Sequence, residues 1–200
     1  MVSSDKRQLK TKENIYSATL KLLKGSYPDI TVKRICEETG ITRPTFYRYF
    51  KDITHLLNSM SEEVLNVLKE SLTINKKTPL KEMQYNELPI NMIKLFEHIL
   101  ENKYFYEAFL LITKDQYFTE QVSAIIEEYI KRGIEYGSSE EDILVPVPLL
   151  LSYSTGAYLN SIVWWMQNDY LYSPKEMTAI ILRLSIKGPY KEDVASFIKD

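Results

Sequence analysis

The sequence predicts an all-α fold, with a small N-terminal domain of three helices, residues 1–52, and a larger helical domain, residues 53–200. Apolar residues recur at spacings of three and four along nearly the whole chain, which is the period of helices that bury one face. The 200 residues include only six Gly and eight Pro, too few for an all-β chain with a turn between every pair of strands. Ser, Thr and Asp precede several helical segments, where they can act as N-caps.

Helices in the first third of the chain are bounded by residues that cap or stop helices. We predict helices over residues 6–24, 32–38 and 43–49, followed by a long helix from residue 53. Gly25 ends the first helix. Thr31, Thr42 and Asp52 stand where the N-caps of the next three helices belong. Pro44 fits the first helical turn, because no backbone hydrogen bond is lost there.

The rest of the chain is also predicted to be helical. Helical periodicity occurs in five segments, at residues 88–101, 103–112, 115–136, 143–169 and 173–187. Ser173 and Glu176 form the pattern of a capping box, with Pro174 at the first helical position. The polar residues 73–87 are interpreted as a linker.

One of these segments carries no charge, since residues 143–168 contain no Asp, Glu, Lys or Arg. A segment of that length could span a bilayer. It contains many polar residues, however, and its neighbours Asp142 and Asp169 are not the Lys or Arg anchors typical of a spanning helix. We therefore expect no membrane span, but a helix covered on most faces by protein, in part by a second subunit.

Charge is distributed unevenly along the chain. Residues 1–51 contain eleven Lys and Arg against five Asp and Glu, a net charge of +6, whereas the whole chain carries −2. Residues 52–200 therefore carry −8. A basic N-terminal part favours a polyanionic partner, and a solvated basic helix face is the alternative interpretation.

Several kinds of site are not expected. The single cysteine, Cys36, excludes a disulfide framework, and the two histidines, His55 and His98, are too few and too far apart for a zinc site. No nucleophile, base and orienting residue occur at a recognisable spacing, so we expect no enzyme and no cofactor. Residues 1–12 lack the apolar core of a secretory signal, which favours a cytoplasmic protein.

Residues 31–50 have the pattern of a helix-turn-helix motif, whose second helix can lie in the major groove of DNA. Ile35 and Ile41 can pack between the two helices, and Gly40 suits the tight turn. Thr42 caps the second helix and leaves its N-terminal N–H groups facing outward, where they can bind phosphate.

The second helix of this motif carries side chains suited to DNA. Arg43 can bind guanine with two hydrogen bonds, and Thr45 can donate or accept at a base edge. Tyr47 and Lys51 suit phosphate oxygens. The predicted DNA-binding residues are Thr31, Thr42, Arg43, Pro44, Thr45, Tyr47, Arg48, Tyr49 and Lys51.

The same part of the chain resembles a known family. Residues 13–57 are similar to the N-terminal domain of TetR/AcrR-type transcriptional regulators. Residues 46–51, Phe-Tyr-Arg-Tyr-Phe-Lys, match the family's Leu/Phe-Tyr-x-x-Phe-Lys pattern, and Gly40, Thr42 and Leu56 also fit.

This resemblance assigns roles within the motif. It implies that the helix beginning at Thr42 is the recognition helix. It implies that Tyr47 and Lys51 contact phosphates and that Arg43 and Thr45 are candidates for base contact.

The chain departs from the family at one position of this domain. The family often has a second Lys two residues after Lys51, where this chain has Ile53. That phosphate contact is therefore absent, or it is made by Arg48, Lys10 or Lys12.

The end of the chain is similar to the last two helices of a TetR-type regulatory domain, in the group related to dihydroxyacetone-kinase regulators. Residues 158–168 and 173–177 carry this resemblance. In the family these helices pair with their symmetry mates in a four-helix bundle, which implies a homodimer and fits a palindromic operator. The residues expected at the dimer interface are Leu151, Tyr158, Ile162, Trp165, Ile181 and Leu184.

Aromatic residues of the C-terminal domain are candidates for an effector pocket. They are Phe96, Phe105, Tyr106, Phe109, Tyr117 and Tyr158. A packed aromatic core is the alternative interpretation of each of them.

Taken together, these features predict a repressor that binds a palindromic operator in double-stranded DNA as a homodimer and is released by an effector. A transcriptional activator controlled by a protein partner is the alternative, because the sequence shows no obvious polar pocket. A helical enzyme with an incidental helix-turn-helix is a third hypothesis, which no catalytic set of residues favours.

Overall fold

The computed structural model describes residues 2–25, 30–73, 88–137, 143–186 and 188–189. Within these ranges the chain forms nine α-helices, one π-helical segment and no β-strand, so the predicted all-α fold is confirmed. The α-helices are α1 (Val2–Gly25), α2 (Val32–Thr39), α3 (Arg43–Tyr47), α4 (Ile53–Ser71), α5 (Ile90–Glu101), α6 (Lys103–Tyr106), α7 (Gln116–Gly137), α8 (Val147–Gln167) and α9 (Pro174–Ile186). The predicted linker lies outside the described residues, apart from residue 73.

The capping residues predicted from the sequence are confirmed. The side chains of Thr31 and Thr42 each accept a hydrogen bond from the backbone N–H three residues later. Asp52 accepts one from the N–H of His55 at 2.7 Å. In the capping box of α9, the Ser173 N–H donates to Glu176 at 2.8 Å, and the Glu176 N–H donates to the Ser173 hydroxyl at 3.3 Å.

Helix α8 begins at Val147, four residues later than predicted. The reason is the pair of prolines at its start. Pro146 occupies the N-cap position and Pro148 lies in the first turn, where a residue without an N–H is tolerated. A helix from residue 143 would place Pro148 in its second turn, where the missing hydrogen bond and the proline ring would disrupt it.

The segment predicted as one helix over residues 103–112 is divided. The short α6 continues into a π-helical segment, Glu107–Ile112. Its bonding pattern is visible at its end, where the N–H of Thr113 donates to the carbonyl of Ala108, five residues earlier, at 2.9 Å. The apolar periodicity of the sequence does not distinguish this pattern from an α-helix, because both bury one face.

The chain divides into two compact units. Unit 1 takes its described residues from 1–67 and 102–119, and unit 2 takes them from 68–101 and 120–200. Helix α4 therefore contributes to both units, because the boundary between them lies between Val67 and Leu68. The boundary predicted after residue 52 separates the chain by function and stays a prediction.

In unit 1, α1 packs against α2 and against the π-helical segment, and α2 packs against α3. The fully buried side chains of this unit include Ile15, Leu23, Ile35, Phe46, Leu56, Tyr106 and Phe118. In unit 2, α9 packs against α5 and α8. The rings of Phe96 on α5 and Trp165 on α8 meet edge to face, with centroids 5.4 Å apart.

None of the helices in the described part of the chain combines the length and apolarity that crossing a membrane requires.

Candidate DNA-binding surface

The turn between α2 and α3 has the geometry that the sequence predicts. Helix α2 begins after Thr31, whose hydroxyl accepts from the N–H of Arg34 at 3.2 Å. It ends at Gly40, with φ of 71°, in the left-handed region that glycine adopts without steric cost. Helix α3 begins after Thr42, whose hydroxyl accepts from the N–H of Thr45 at 3.4 Å. These caps fix where both helices begin.

Buried aromatic rings hold α3 in place from below. Phe46 is fully buried and Phe50 is 2% exposed, and their ring centroids lie 5.8 Å apart. Ile35 and Cys36 on α2 are buried as well. Because α3 has only five residues, we infer that this packing, more than its own backbone bonds, keeps the helix formed.

Eight of the nine predicted DNA-binding residues lie on α3 or directly beside it in sequence, Thr31 is the N-cap of α2, and all nine belong to unit 1. Seven of them are exposed: Thr31, Thr42, Arg43, Pro44, Tyr47, Arg48 and Lys51. Thr45 and Tyr49 are partly exposed. Buried Phe46 and Phe50 therefore alternate with exposed cationic and hydroxyl-bearing side chains, so one side of the segment packs and the other is available to a partner.

Some side chains of this surface form hydrogen bonds with one another, and others form none with a described residue. The Thr42 and Thr45 hydroxyls lie 2.9 Å apart, and Arg48 approaches the Thr45 hydroxyl at 3.5 Å. Arg43 forms no hydrogen bond or ion pair with any residue that the structure describes. Its guanidinium is therefore available for a base edge or a phosphate.

The segment after α3 contains a functional candidate that the sequence prediction missed. The Nδ1 atom of His55 accepts a hydrogen bond from the backbone N–H of Lys51 at 3.2 Å, and the His55 ring lies 5.9 Å from that of Phe50. His55 thereby fixes the backbone of Lys51, a predicted phosphate contact. The signal was present in the sequence, because His55 occupies the third position after the Asp52 cap, where a side chain can reach back to the preceding backbone.

Lys12 is one of three residues suggested to make the phosphate contact that a lysine at position 53 would make. In the structure it bonds to an acidic residue of the chain instead. Its ammonium group forms an ion pair with Glu63 on α4. The same Glu63 oxygen accepts from the Tyr16 hydroxyl at 3.1 Å. Burial, followed by the charge of Glu63, raises the pKa of Tyr16, so its hydroxyl stays a donor. Lys10 and Arg48 are exposed and remain candidates for the contact.

The six residues suggested for an effector pocket divide between the two units. In unit 1, Phe105 stacks on Phe109 at 4.4 Å and meets Phe118 at 5.3 Å, which is a packed aromatic cluster. Tyr106 is fully buried beside Phe118, and Tyr117 is 49% exposed. The remaining two, Phe96 and Tyr158, are buried in unit 2. No cavity within a single unit can be lined by all six, and their role in effector binding stays a prediction.

Most residues suggested for the dimer interface are buried within their own chain. Tyr158, Ile162, Trp165 and Ile181 are each at most 8% exposed, Leu151 is partly exposed, and Leu184 is 45% exposed. The buried four offer little surface to a second copy, and their place at a dimer interface stays a prediction. The exposed apolar side chains of α8 and α9 are instead Val147, Leu149, Tyr153, Trp164, Leu184 and Ile186.

Comparison with known families and structures agrees with this geometry. Residues 15–60 match the N-terminal model of bacterial regulatory proteins of the tetR family. Residues 86–187, slightly more than half of the chain, match the C-terminal region of transcriptional regulators of the same family. No curated protein matches the sequence.

Solved structures of similar fold cover nearly all of the chain. A TetR transcriptional regulator from Streptococcus agalactiae 2603V is 20% identical, with a TM-score of 0.66 over 92% of this chain and 98% of that one. FadR from Bacillus subtilis, solved with stearoyl-CoA, is 18% identical, with a TM-score of 0.63 over 89% and 99%. The dihydroxyacetone kinase operon activator DhaS is 21% identical, with a TM-score of 0.57 over 88% and 94%. With both family models matched, the chain belongs to the tetR family of bacterial regulatory proteins, which are DNA-binding transcriptional regulators and not enzymes.

Proposed function

We propose that the chain is a repressor, which binds a palindromic operator as a homodimer through α3 and is released when an effector binds its C-terminal part. The observation that carries this proposal is the surface of α3. Its cationic and hydroxyl side chains are exposed, while Phe46 and Phe50 are buried beneath them. A helix with exposed cationic and hydrogen-bonding side chains on a packed base suits recognition in the major groove.

In this proposal the side chains of α3 divide between base and phosphate contacts. Arg43 lies at the start of the helix and forms no hydrogen bond or ion pair with a described residue, so its guanidinium is available to read a base edge. Tyr47 and Lys51 lie at and beyond its end and bind phosphates, with the Lys51 backbone held by His55. The Thr31 hydroxyl and the first N–H groups of α2 add a phosphate contact on the other helix.

Homodimer formation is proposed through the exposed apolar side chains of α8 and α9. On α8, Leu149, Tyr153 and Trp164 share one face at helical spacing, and they are 60%, 75% and 46% exposed. No charged residue interrupts this face. A stable dimer buries about 800 Å² on each partner, and a face of this kind supplies apolar area without a desolvation penalty.

Release of the operator is proposed to proceed through α4. Because α4 belongs to unit 1 up to Val67 and to unit 2 from Leu68, a shift of its C-terminal turn is carried along a continuous helix. Glu63 ties the middle of α4 to Lys12 and Tyr16 on α1. An effector that favours a different α4 position would therefore lower the population of the DNA-binding form.

An activator controlled by a protein partner is the second candidate. The observation in its favour is the apolar segment just before α8, where Leu144 is 95% exposed and Val145 is 47% exposed. The similar fold of DhaS, which is named as an operon activator, points the same way. Deleting the gene distinguishes the candidates. Transcription from the bound promoter rises if the chain represses and falls if it activates.

Selection of bound duplexes from a random DNA pool tests operator recognition. We expect an inverted repeat whose half-sites are centred one helical turn or a multiple of it apart, as two symmetry-related α3 helices require. A single asymmetric site, or no enrichment at low salt, would contradict the proposal.

Light scattering after size-exclusion chromatography tests the dimer. We expect the parent chain to have twice the mass of its sequence, and Tyr153→Glu to shift it towards monomer, because the substitution places a charge in the apolar face. Val67→Glu, at a side chain 55% exposed on α4, is the matched control and should remain dimeric. A dimeric Tyr153→Glu variant would argue against this interface.

A further inference from the structure

Unit 2 contains a cleft of about 190 Å³ between the last turns of α4 and one face of α7. Lys69 on α4 and Leu72 directly after it line one side, and Ala124, Ile125, Tyr129 and Arg132 line the other from α7. We propose that this cleft binds a small amphipathic anion, a carboxylate or phosphate ester with a short hydrocarbon chain. That this anion is the effector rests on the function proposed above, whereas binding itself does not.

The wall of the cleft is apolar where it is most enclosed. Leu72 is 4% exposed, and Ile125 is partly buried. Ala124 presents only a methyl group, which leaves space between the two helices. A hydrocarbon chain in this place would replace water against apolar side chains, which is favourable in proportion to the area covered.

Two cations at the cleft retain donors for an anion. Arg132 donates from Nε to Glu128 at 2.7 Å, which orients the guanidinium. Its terminal amino groups form no hydrogen bond with any described residue, so both can meet a carboxylate or phosphate. Lys69 is exposed and has no acidic partner in the described part of the chain. The cleft thus carries two positive charges against the single carboxylate of Glu128.

A third donor is Tyr129. Its side chain is partly buried and lines the cleft, and its hydroxyl forms no hydrogen bond with a described residue. Burial raises the pKa of Tyr129, so the hydroxyl stays protonated at neutral pH and can donate. A ligand oxygen in the cleft would give this hydroxyl a hydrogen-bond partner.

The hydrogen-bond donors and the apolar wall of the cleft together indicate which ligand it fits. Lys69, Tyr129 and Arg132 contribute hydrogen-bond donors to the lining. The lining contains one carboxylate, that of Glu128, and it already accepts a hydrogen bond from Arg132. The complementary molecule therefore brings acceptor oxygens with negative charge, together with a short apolar part for Leu72 and Ile125. A cleft of about 190 Å³ favours a small bound part.

Isothermal titration calorimetry of the full chain tests the proposal without DNA. The probes are butanoate, hexanoate, octanoate and hexyl phosphate, with hexan-1-ol as the uncharged counterpart of hexanoate. We expect at least one anion to bind saturably and hexan-1-ol to bind at least fivefold more weakly than hexanoate. Absence of saturable binding by all four anions, or equal binding of the alcohol, would overturn the proposal.

Variants locate the binding site. Lys69→Gln and Tyr129→Phe should each weaken binding of the best anion by about threefold to tenfold, because each removes one donor. Ala124→Phe should abolish binding by filling the cleft. Lys131→Gln, at an exposed position of α7 outside the cleft, should bind like the parent. The melting temperature of each variant is measured in parallel, so that a folding defect is not taken for a binding defect. Parent-like binding by both Lys69→Gln and Tyr129→Phe would overturn the site.

A parallel titration of operator DNA in the presence of the best anion separates the two proposals. Loss of DNA affinity with the parent but not with Ala124→Phe supports the cleft as the effector site. If the chain binds no DNA under any condition, the proposed function fails, and the calorimetric result for the cleft stands on its own.

Discussion

At the scale of single residues, the capping side chains of the DNA-binding surface can be predicted from the sequence. The contacts of Lys51 and Lys12 could not be predicted in this way. Thr31 and Thr42 cap their helices as expected, because capping is a local property of sequence. The bond from the Lys51 backbone to His55 is also local, but histidine is not among the usual capping residues and was missed. The pairing of Lys12 with Glu63 joins residues 51 positions apart, which no local pattern predicts.

Arg43 is the residue for which the proposed function makes its most specific prediction. Arg43→Ala should weaken binding to the selected operator by about 1–3 kcal/mol and relax the base preference at one position of each half-site, because a bidentate base contact is lost. Anisotropy titrations against the selected operator and against duplexes changed at single positions measure both effects. Lys131→Ala, an exposed cation on α7, is the control and should bind like the parent. Uniformly weaker binding to all sequences would assign Arg43 to a phosphate instead.

At the scale of elements, helix positions followed from periodicity and caps, and the exceptions have identifiable causes. Two prolines moved the start of α8 to Val147. The π-helical segment at Glu107–Ile112 has the same apolar face as an α-helix and could not be distinguished from one by its pattern. The turn before α3 was predicted in detail, because a glycine between two Thr-capped helices has few alternatives.

Gly40 is the position of that turn where we expect an added methyl group to destabilise the fold. A Cβ there meets no atom within 4 Å, so only its φ of 71° opposes substitution. We expect Gly40→Ala to lower the free energy of unfolding by about 1 kcal/mol. Gly133 in α7 has equally open surroundings but helical geometry, so Gly133→Ala should raise the free energy of unfolding by about 0.5–1 kcal/mol. Urea denaturation compares the two variants, and a shift of the same sign in both would contradict this account.

The capping box of α9 should make a pH-dependent contribution to stability. Hydrogen bonds from the side chain and backbone of Ser173 lower the pKa of Glu176. Because the folded value lies below the unfolded one, the stabilisation is present at neutral pH and is lost as pH falls through the folded pKa. Glu176→Ala should therefore be less stable than the parent at pH 7, and the difference should shrink as pH falls through the folded pKa of Glu176. Urea denaturation along this pH series measures it, with the exposed Glu135→Ala as control. A difference independent of pH would show that the carboxylate is not responsible.

At the scale of the whole molecule, sequence reasoning identified the family and the uneven charge but not the division into units. Residues 102–119 join unit 1 although they lie far from the helix-turn-helix in sequence. Their aromatic residues were suggested for an effector pocket because composition alone does not tell a packed cluster from a cavity lining. The proposed anion cleft was likewise invisible, since its donors come from α4 and α7 and meet only in the folded chain.

The structure also shows where part of the positive charge of the N-terminal residues lies. Arg43, Arg48 and Lys51 place three of the eleven Lys and Arg of residues 1–51 on the exposed surface of α3 and the residues after it. The acidic remainder of the chain repels DNA, so binding should depend strongly on these few contacts and on salt.

The central claim, that the surface around α3 binds the DNA backbone and reads the operator, is tested most directly by the salt dependence of operator binding. Operator affinity is measured by anisotropy at several salt concentrations for the parent, Lys51→Ala and Lys131→Ala. Lys51→Ala should bind more weakly, with a slope of log affinity against log salt reduced by about one phosphate contact per subunit, while Lys131→Ala keeps the parent slope. Equal slopes and affinities for all three proteins would contradict the claim that this surface contacts DNA.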